Sequence, residues 1–309
     1  MALRIAFLGT AEFSVPSLRA CLDAQCDVAA VVTQPDRPGD RGRPAPRPVA
    51  DLARERGLPI LQPPRIRDPE ATAAVLALGV DALVVAAYGQ ILPVALLEGP
   101  RLGGVNVHAS LLPRWRGASP VAAAILAGDA QTGVSIMRME AGLDTGPVYA
   151  QRATAIGPAE TAPQLGRRLA EMGAGLLVEV LAALERGGVA AWPQDDAAAS
   201  LAPRLRREDG QLDWAAATAV EVDRRVRALD PWPGVTVPLG GAEVRLLAGE
   251  PLEREPGAAP GTVLRTAGEV AEVAAREGVY GVRRVQPPGR RPMDAAAYLR
   301  GRRSPARAR

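Results

Sequence analysis

Short apolar runs alternate with amphipathic helical patterns from Arg4 to about Ala155. Runs of Val, Ile and Ala without a polar face are typical of strands buried on both sides, and helices between such strands indicate parallel pairing. The predicted strands are 4–8, 28–33, 83–87, 104–108, 134–139 and 148–155. The predicted helices are 16–24, 49–56, 69–78, 120–126 and 162–185. This alternation predicts an open, doubly wound α/β sheet.

The last third of the chain has a different texture. A helix is predicted at 220–228, and short β-like runs follow at 235–239, 244–247, 262–264, 270–274 and 279–285, with Gly and Pro between them. Such closely spaced turns predict a small β-barrel or sandwich of the kind that includes oligonucleotide-binding folds. Residues from Trp192 to Arg207 lack clear periodicity. We therefore expect a catalytic domain at 1–189, a linker at 190–207 and a β-barrel domain at 208–309.

The sequence argues against membrane, secreted and metal-binding classes. Apolar stretches such as 80–87 are interrupted within about ten residues, well short of the roughly 20 that cross a bilayer. The N-terminus resembles a buried strand more than a signal peptide, so we expect a cytoplasmic protein with no membrane association. Cys21 and Cys26 lie in one predicted helix and suit neither a disulfide framework nor a metal cluster. We expect packing roles for them and no bound metal.

Positive charge is concentrated at one end of the chain. The net charge is only +3, but from residue 280 onward nine arginines stand against a single acid, Asp294. Two interpretations remain open, a surface for a polyanionic partner and a solvated arginine tail.

The chain has one histidine, His108, in the segment NVHASLLPRWRG at 106–117. Open α/β sheets bind ligands at the carboxyl ends of their strands, and this rule directs attention to Asn106, His108 and Asp144. Residues two apart on a strand share a face, so an amide and an imidazole are presented together and can polarise a carbonyl group. Local context alone also allows a histidine with a structural role in a half-buried turn.

A second polar segment, MEAGLDTG at 139–146, places Asp144 between two glycines after a predicted strand. A carboxylate held there can orient an imidazole, stabilise its protonated form, or help to remove a proton from an amine. An ordinary Asx turn is the alternative.

Together these two segments closely resemble the folate-dependent formyltransferases, whose sites combine Asn-x-His, Ser-Leu-Leu-Pro and a downstream Asp in a glycine turn. Further segments are similar to the subfamily that acts on methionyl-tRNA: GTAEFS, TQPDRP, AYGQILP, LPRWRG, LAPRL, LDW, PWPG and PGTVL. These segments are spread over nearly the whole chain, so the resemblance is not confined to one domain.

The resemblance implies a Rossmann-like catalytic domain and a C-terminal barrel similar to an oligonucleotide-binding fold. It implies transfer of a formyl group from 10-formyltetrahydrofolate to the amino group of methionine on initiator tRNA, and we expect a monomer. Catalysis is implied for Asn106, His108 and Asp144. The implied folate-binding residues are Ser110, Leu111, Leu112 and Pro113. Asn106 and His108 would stabilise a tetrahedral oxyanion, without a protein nucleophile.

Two basic regions are candidates for tRNA binding. The stretch QPDRPGDRGRPAPRP at 34–48 is predicted to be an exposed loop, and the resemblance implies that it reaches the acceptor end of the tRNA. Arg41 and Arg43 match the basic core of that loop, although Pro44 departs from the family pattern; a solvated loop is the alternative. In the barrel, sequence-independent phosphate contacts are expected from Arg283, Arg284, Arg290 and Arg291.

Two other functions remain open at this point. One is a different folate-dependent formyltransferase or hydrolase acting on a small molecule, such as glycinamide ribonucleotide. Such an enzyme would not need a basic barrel. The other is a non-catalytic RNA-binding protein that retains an old site. Formylation of methionyl-tRNA separates both from the main hypothesis.

Overall fold

The structure is a computed structural model that describes residues 3–36 and 47–302. Arg41 and Arg43, predicted to bind tRNA, lie outside the described residues. The chain forms two compact units. The first contains the chain up to Pro120, Gln131–Ala155 and Gly166–Ala202, and the second contains Val121–Ala130, Ile156–Leu165 and the chain from Pro203 onward.

Strands and helices alternate through the first two thirds of the chain, as predicted. The strands are β1 (Arg4–Gly9), β2 (Asp27–Val32), β3 (Ile60–Leu61), β4 (Ala82–Ala86), β5 (Gly104–His108), β6 (Arg116–Gly117), β7 (Gln131–Arg138), β8 (Val148–Ala155) and β9 (Leu201–Ala202). The helices are α1 (Val15–Asp23), α2 (Pro48–Glu55), α3 (Pro69–Leu76), α4 (Val94–Glu98), α5 (Pro120–Ala127) and α6 (Ala162–Glu185). Sequence periodicity missed β3, β6, β9 and α4, which are too short to show a period.

The main sheet of the first unit has the order β3-β2-β1-β4-β5-β7-β8. Strands β1 to β5 pair in parallel, which confirms the predicted α/β class. Strands β7 and β8 run antiparallel to their neighbours. Because His108 pairs with Ser135 while Val105 pairs with Arg138, the end of β7 lies beside the start of β5. The carboxyl-end rule therefore applies to His108, whereas Asp144 reaches the site through the long connection from β7 to β8.

Consecutive buried residues show that the central parallel strands of this sheet are covered on both faces. Five of the six residues of β1 are buried, and the next strand along the sheet, β4, is buried throughout. Tyr88 packs into the same core, and burial raises the pKa of its hydroxyl to about 12. None of the described helices, α6 included, is long and apolar enough to cross a membrane.

The second unit contains an antiparallel sheet, which confirms the predicted β-rich C-terminal fold. Its strands are β10 (Val235–Leu239), β11 (Ala242–Leu252), β12 (Val263–Ala267), β13 (Val270–Ala274), β14 (Val279–Gln286) and β15 (Met293–Asp294), and its helices are α7 (Ala219–Ala228) and α8 (Ala295–Arg300). The strand order is β10-β11-β14-β13-β12, with β15 on β14. Two register shifts interrupt the pairing of β11 with β14, and such irregularities increase the local twist and bend of a strand pair.

The predicted domain boundaries at 189 and 208 stay a prediction. Within the stretch expected to be a linker, β9 pairs in parallel with β6, and Trp192 pairs with Val148 of β8. These pairings attach the residues up to Ala202 to the first unit.

Candidate active site

Strand β5 carries two of the three predicted catalytic residues on one face. Asn106 and His108 are two positions apart, so their side chains leave the strand on the same side. Asn106 is partly exposed, and its amide has no hydrogen-bond partner among residues 3–36 and 47–302. An unpaired amide next to an imidazole is available to donate to a ligand oxygen.

The imidazole of His108 is almost fully buried and touches polar groups at both nitrogens. Its Nε2 lies 2.9 Å from the carbonyl oxygen of Trp115. A carbonyl oxygen only accepts, so Nε2 carries the proton in this contact. Nδ1 lies 3.6 Å from Oδ2 of Asp144. When the ring is neutral, Nδ1 of His108 and Oδ2 of Asp144 are both acceptors and face each other. The His108–Asp144 pair can therefore take up one proton from a substrate.

Asp144 is held by its backbone as well as by its side chain. Its φ of 52° lies in the left-handed region, which Asp adopts more readily than most residues. The carboxylate Oδ2 accepts a hydrogen bond of 2.9 Å from the backbone N–H of Gly117. A side chain at Gly146 would collide with the carbonyl of Arg138, so close backbone packing explains this glycine. The structure brings His108 and Asp144 together from distant parts of the chain.

The four predicted folate-binding residues divide into two pairs. Ser110 is fully buried, and its hydroxyl donates to the carbonyl of Arg114 at 2.6 Å. Leu112 is buried in a small apolar cluster. The buried contacts of Ser110 and Leu112 therefore stabilise the conformation of the loop. Leu111 and Pro113 are partly exposed, so the apolar surface that a ligand can touch comes from them.

A buried polar node fixes this loop to the sheet. Ser135, on β7, accepts a hydrogen bond of 3.0 Å from the N–H of Leu112 and donates one of 2.7 Å to the carbonyl of Ser110. The amide of Gln151, on β8, donates to the Ser135 hydroxyl at 2.9 Å and to the carbonyl of Leu112 at 2.7 Å. The loop is therefore anchored from two neighbouring strands.

A second group of hydrogen-bonded polar side chains holds the backbone around Asp144. The amide nitrogen of Gln194 donates to the carbonyl of Asp144 at 2.8 Å and to that of Gly146 at 2.7 Å. Its oxygen accepts a hydrogen bond of 3.0 Å from Nε of Arg116. The buried guanidinium of Arg116 also pairs with Asp196 at 2.7 Å.

Sequence reasoning missed Ser135, Gln151 and Gln194. The one available signal was Ser135 itself, a polar residue between Val134 and Ile136 in a strand predicted to be buried, where an unpaired hydroxyl is costly. Gln151 and Gln194 leave no comparable local pattern.

The arginines predicted to contact phosphate in the second unit are all exposed: Arg283, Arg284, Arg290 and Arg291. Two of them have acidic partners, since Arg283 pairs with Glu250 and Arg284 lies 3.9 Å from Asp294. Arg290 and Arg291 form no ion pair within the described part of the chain. In that part of the chain, moreover, no three His, Cys, Asp or Glu side chains are grouped as metal ligands.

Comparisons with known families match both halves of the chain. The Formyl transferase family model matches residues 3–181, and the model for the Formyl transferase C-terminal domain matches residues 204–303. A methionyl-tRNA formyltransferase from Gluconobacter oxydans is 47% identical over 97% of this chain and 97% of its own length. One from Solibacter usitatus is 45% identical over 97% of this chain and 96% of its own length.

Solved structures with low sequence identity share the fold. A sugar 3N-formyl transferase, WlaRD, crystallised in the presence of dTDP and 5-N-formyl-THF, aligns with a TM-score of 0.69 at 15% identity, over 94% of this chain and 100% of its own. HypX from Aquifex aeolicus in complex with tetrahydrofolic acid aligns with a TM-score of 0.65 at 22% identity, over 97% of this chain and 47% of its own. At these identities the likeness concerns the fold alone.

Proposed function

The chain belongs to the formyl transferase family, and from this membership we propose that it transfers a formyl group from 10-formyltetrahydrofolate to the amino group of initiator methionyl-tRNA. The observation that carries the proposal is the approach of Asp144 to His108, beside the Asn106 amide, which has no hydrogen-bond partner among the described residues. Two relatives named methionyl-tRNA formyltransferase, matched over 96% and 97% of their own length, support the choice of methionyl-tRNA as acceptor.

The reaction joins the methionyl nitrogen to the formyl carbon and breaks the bond between that carbon and the folate nitrogen. As the amine attacks, its proton passes to the His108–Asp144 pair, where Nδ1 accepts it and the carboxylate stabilises the imidazolium. The carbonyl oxygen gains negative charge at the same time. The Asn106 amide donates to this oxyanion, and the adjacent imidazolium adds a positive charge. The proton then passes from His108 to the leaving folate nitrogen. Because the amine attacks the formyl carbon directly, no protein nucleophile is required.

The loop from Ser110 to Pro113 supports the folate in this proposal. A flat pterin or its linker would rest against the exposed parts of Leu111 and Pro113. The buried contacts of Ser110 and Leu112 keep the loop in place. The folate-binding role of the two buried residues is thus an indirect one.

In the second unit, Arg290 and Arg291 are the strongest candidates for tRNA phosphate, because no described carboxylate neutralises them. Arg283 and Arg284 would have to exchange Glu250 and Asp294 for phosphate. Binding through such contacts weakens as salt rises. We further propose that the protein is cytoplasmic and works as a monomer; sedimentation of the purified chain would test the monomeric state.

The test is a formylation assay with the purified full-length chain. It supplies 10-formyltetrahydrofolate with initiator methionyl-tRNA, elongator methionyl-tRNA, glycinamide ribonucleotide or an amino-sugar nucleotide, and detects the formylated product by mass spectrometry. We expect formylmethionyl-tRNA from the initiator. Formylation of a small amine alone, or tRNA binding without transfer, would refute the proposal.

Substitutions then test the site. Replacing Asn106 or His108 with Ala should lower kcat about 100- to 1,000-fold, and Asp144→Asn about 100- to 10,000-fold. The matched control is Asp213→Asn, the same change at an exposed residue of the second unit whose oxygen caps the N–H of Ala215 and can still do so. Near-normal turnover in any of the three site variants would remove that residue from the mechanism.

A further inference from the structure

Gln194 contacts both parts of the structure that hold Asp144 in place. One support is the N–H of Gly117, which binds the carboxylate; the other is the Gln194 amide, which binds the carbonyl of Asp144 itself. Gly117 follows Arg116 on β6, and Arg116 donates to the oxygen of the same glutamine. The glutamine thus connects the backbone of Asp144 to the strand that holds its side chain.

The orientation of the Gln194 amide is fixed by its surroundings. Its nitrogen faces two carbonyl oxygens and its oxygen faces a guanidinium N–H. The reverse orientation would place oxygen against oxygen and N–H against N–H, so every contact would be lost. The ion pair of Arg116 with Asp196 holds the guanidinium and so maintains this orientation.

Asp144 needs such support because of where its loop starts. Strand β7 ends beside the beginning of β5, and the connection must return along the sheet before Asp144 can face His108. The backbone of Asp144 is also in the left-handed region, which is less favourable for Asp than for glycine. Its position therefore depends on contacts from outside the loop.

We propose that Gln194 is a positioning residue for formyl transfer, which fixes the backbone of Asp144 so that the carboxylate faces His108. In this role Gln194 acts through Asp144, whose carbonyl oxygen it binds. This inference rests on the proposed function. A misplacement of about 1 Å at a reacting group can cost about 100-fold in rate, so the effect belongs in kcat.

Gln194→Glu is the sharpest perturbation. It retains the shape and the acceptor for Arg116 but replaces the donating nitrogen with a carboxylate oxygen facing two carbonyls. The matched control is Gln164→Glu, where the oxygen accepts from the N–H and hydroxyl of Thr161, contacts that a carboxylate retains. We expect kcat to fall about 10- to 100-fold in Gln194→Glu with KM for folate within about threefold, and no change in Gln164→Glu.

A double-mutant cycle separates positioning from a general structural role. Gln194→Ala is combined with Asp144→Asn, and turnover is normalised to the folded fraction from thermal denaturation. If Gln194 acts through Asp144, Gln194→Ala lowers kcat about 10-fold or more in the wild-type background and less than about twofold in the Asp144→Asn background.

Equal losses in both backgrounds, or unchanged kcat in both Gln194 variants, would overturn the inference while leaving formyl transfer by the wild-type chain intact. Absence of formyl transfer by the wild-type chain would instead overturn the proposed function. The two failures are therefore distinguishable in the same assay.

Discussion

Ser135→Ala is expected to destabilise the first unit strongly for a change of a single oxygen atom. The Ser135 side chain is fully buried and takes part in three hydrogen bonds, with the N–H of Leu112, the carbonyl of Ser110 and the amide of Gln151. Alanine leaves the Leu112 N–H without this partner in a buried place, which costs about 1–3 kcal/mol. Gln151 keeps its bond to the Leu112 carbonyl, so its loss is smaller. The total expected is about 2–4 kcal/mol.

The chain contains a matched control for this substitution. Ser17, on α1, is also fully buried, but its hydroxyl has no hydrogen-bond partner among the described residues. Ser17→Ala removes the same atom without leaving any polar group unpaired. Its free energy of unfolding should stay within about 0.5 kcal/mol of the wild type or rise.

Urea denaturation of both variants measures the difference directly, with the shift in midpoint converted through a common m-value. The Ser135 variant should also bind folate more weakly, because the loop from Ser110 to Pro113 loses an anchor. If the free energies of unfolding of the two variants differed by less than about 0.5 kcal/mol, the hydrogen bonds of Ser135 could not be what holds this loop.

Three further outcomes are expected. Burial raises the pKa of Tyr88 from its usual 10 to about 12, so its contribution to stability is present below pH 10 and lost as the pH rises towards 12; the stability of Tyr88→Phe relative to wild type should therefore increase over that range in urea denaturation. A Cys21→Ser, Cys26→Ser double variant should keep its kcat in the formylation assay; a folded double variant without turnover would contradict a reaction that needs no cysteine. Arg290→Gln with Arg291→Gln should weaken tRNA binding in a filter-binding titration and lower the slope of log affinity against log salt by about 2; an unchanged slope would exclude them as phosphate contacts.

The strands and helices of both units could be predicted from the sequence because burial on a regular element leaves a period in the chain. The predicted bounds of the strands at 104–108 and 148–155 agree with β5 and β8. Strand direction leaves no such trace: β7 has the composition of a buried strand whether it pairs parallel or antiparallel. Its antiparallel pairing with β5 was decided only by the fold.

The sequence by itself determined the chemical groups of the site: a single histidine two residues after an asparagine on one strand, and an aspartate in a glycine turn. Only the tertiary structure decided that Asp144 faces His108, and that Gln194, 50 residues further along the chain, binds the Asp144 carbonyl. Hydrogen bonds between such distant residues require no pattern near either partner. A period records which side of an element is buried, but the partner of a polar group depends on how the elements are brought together in space.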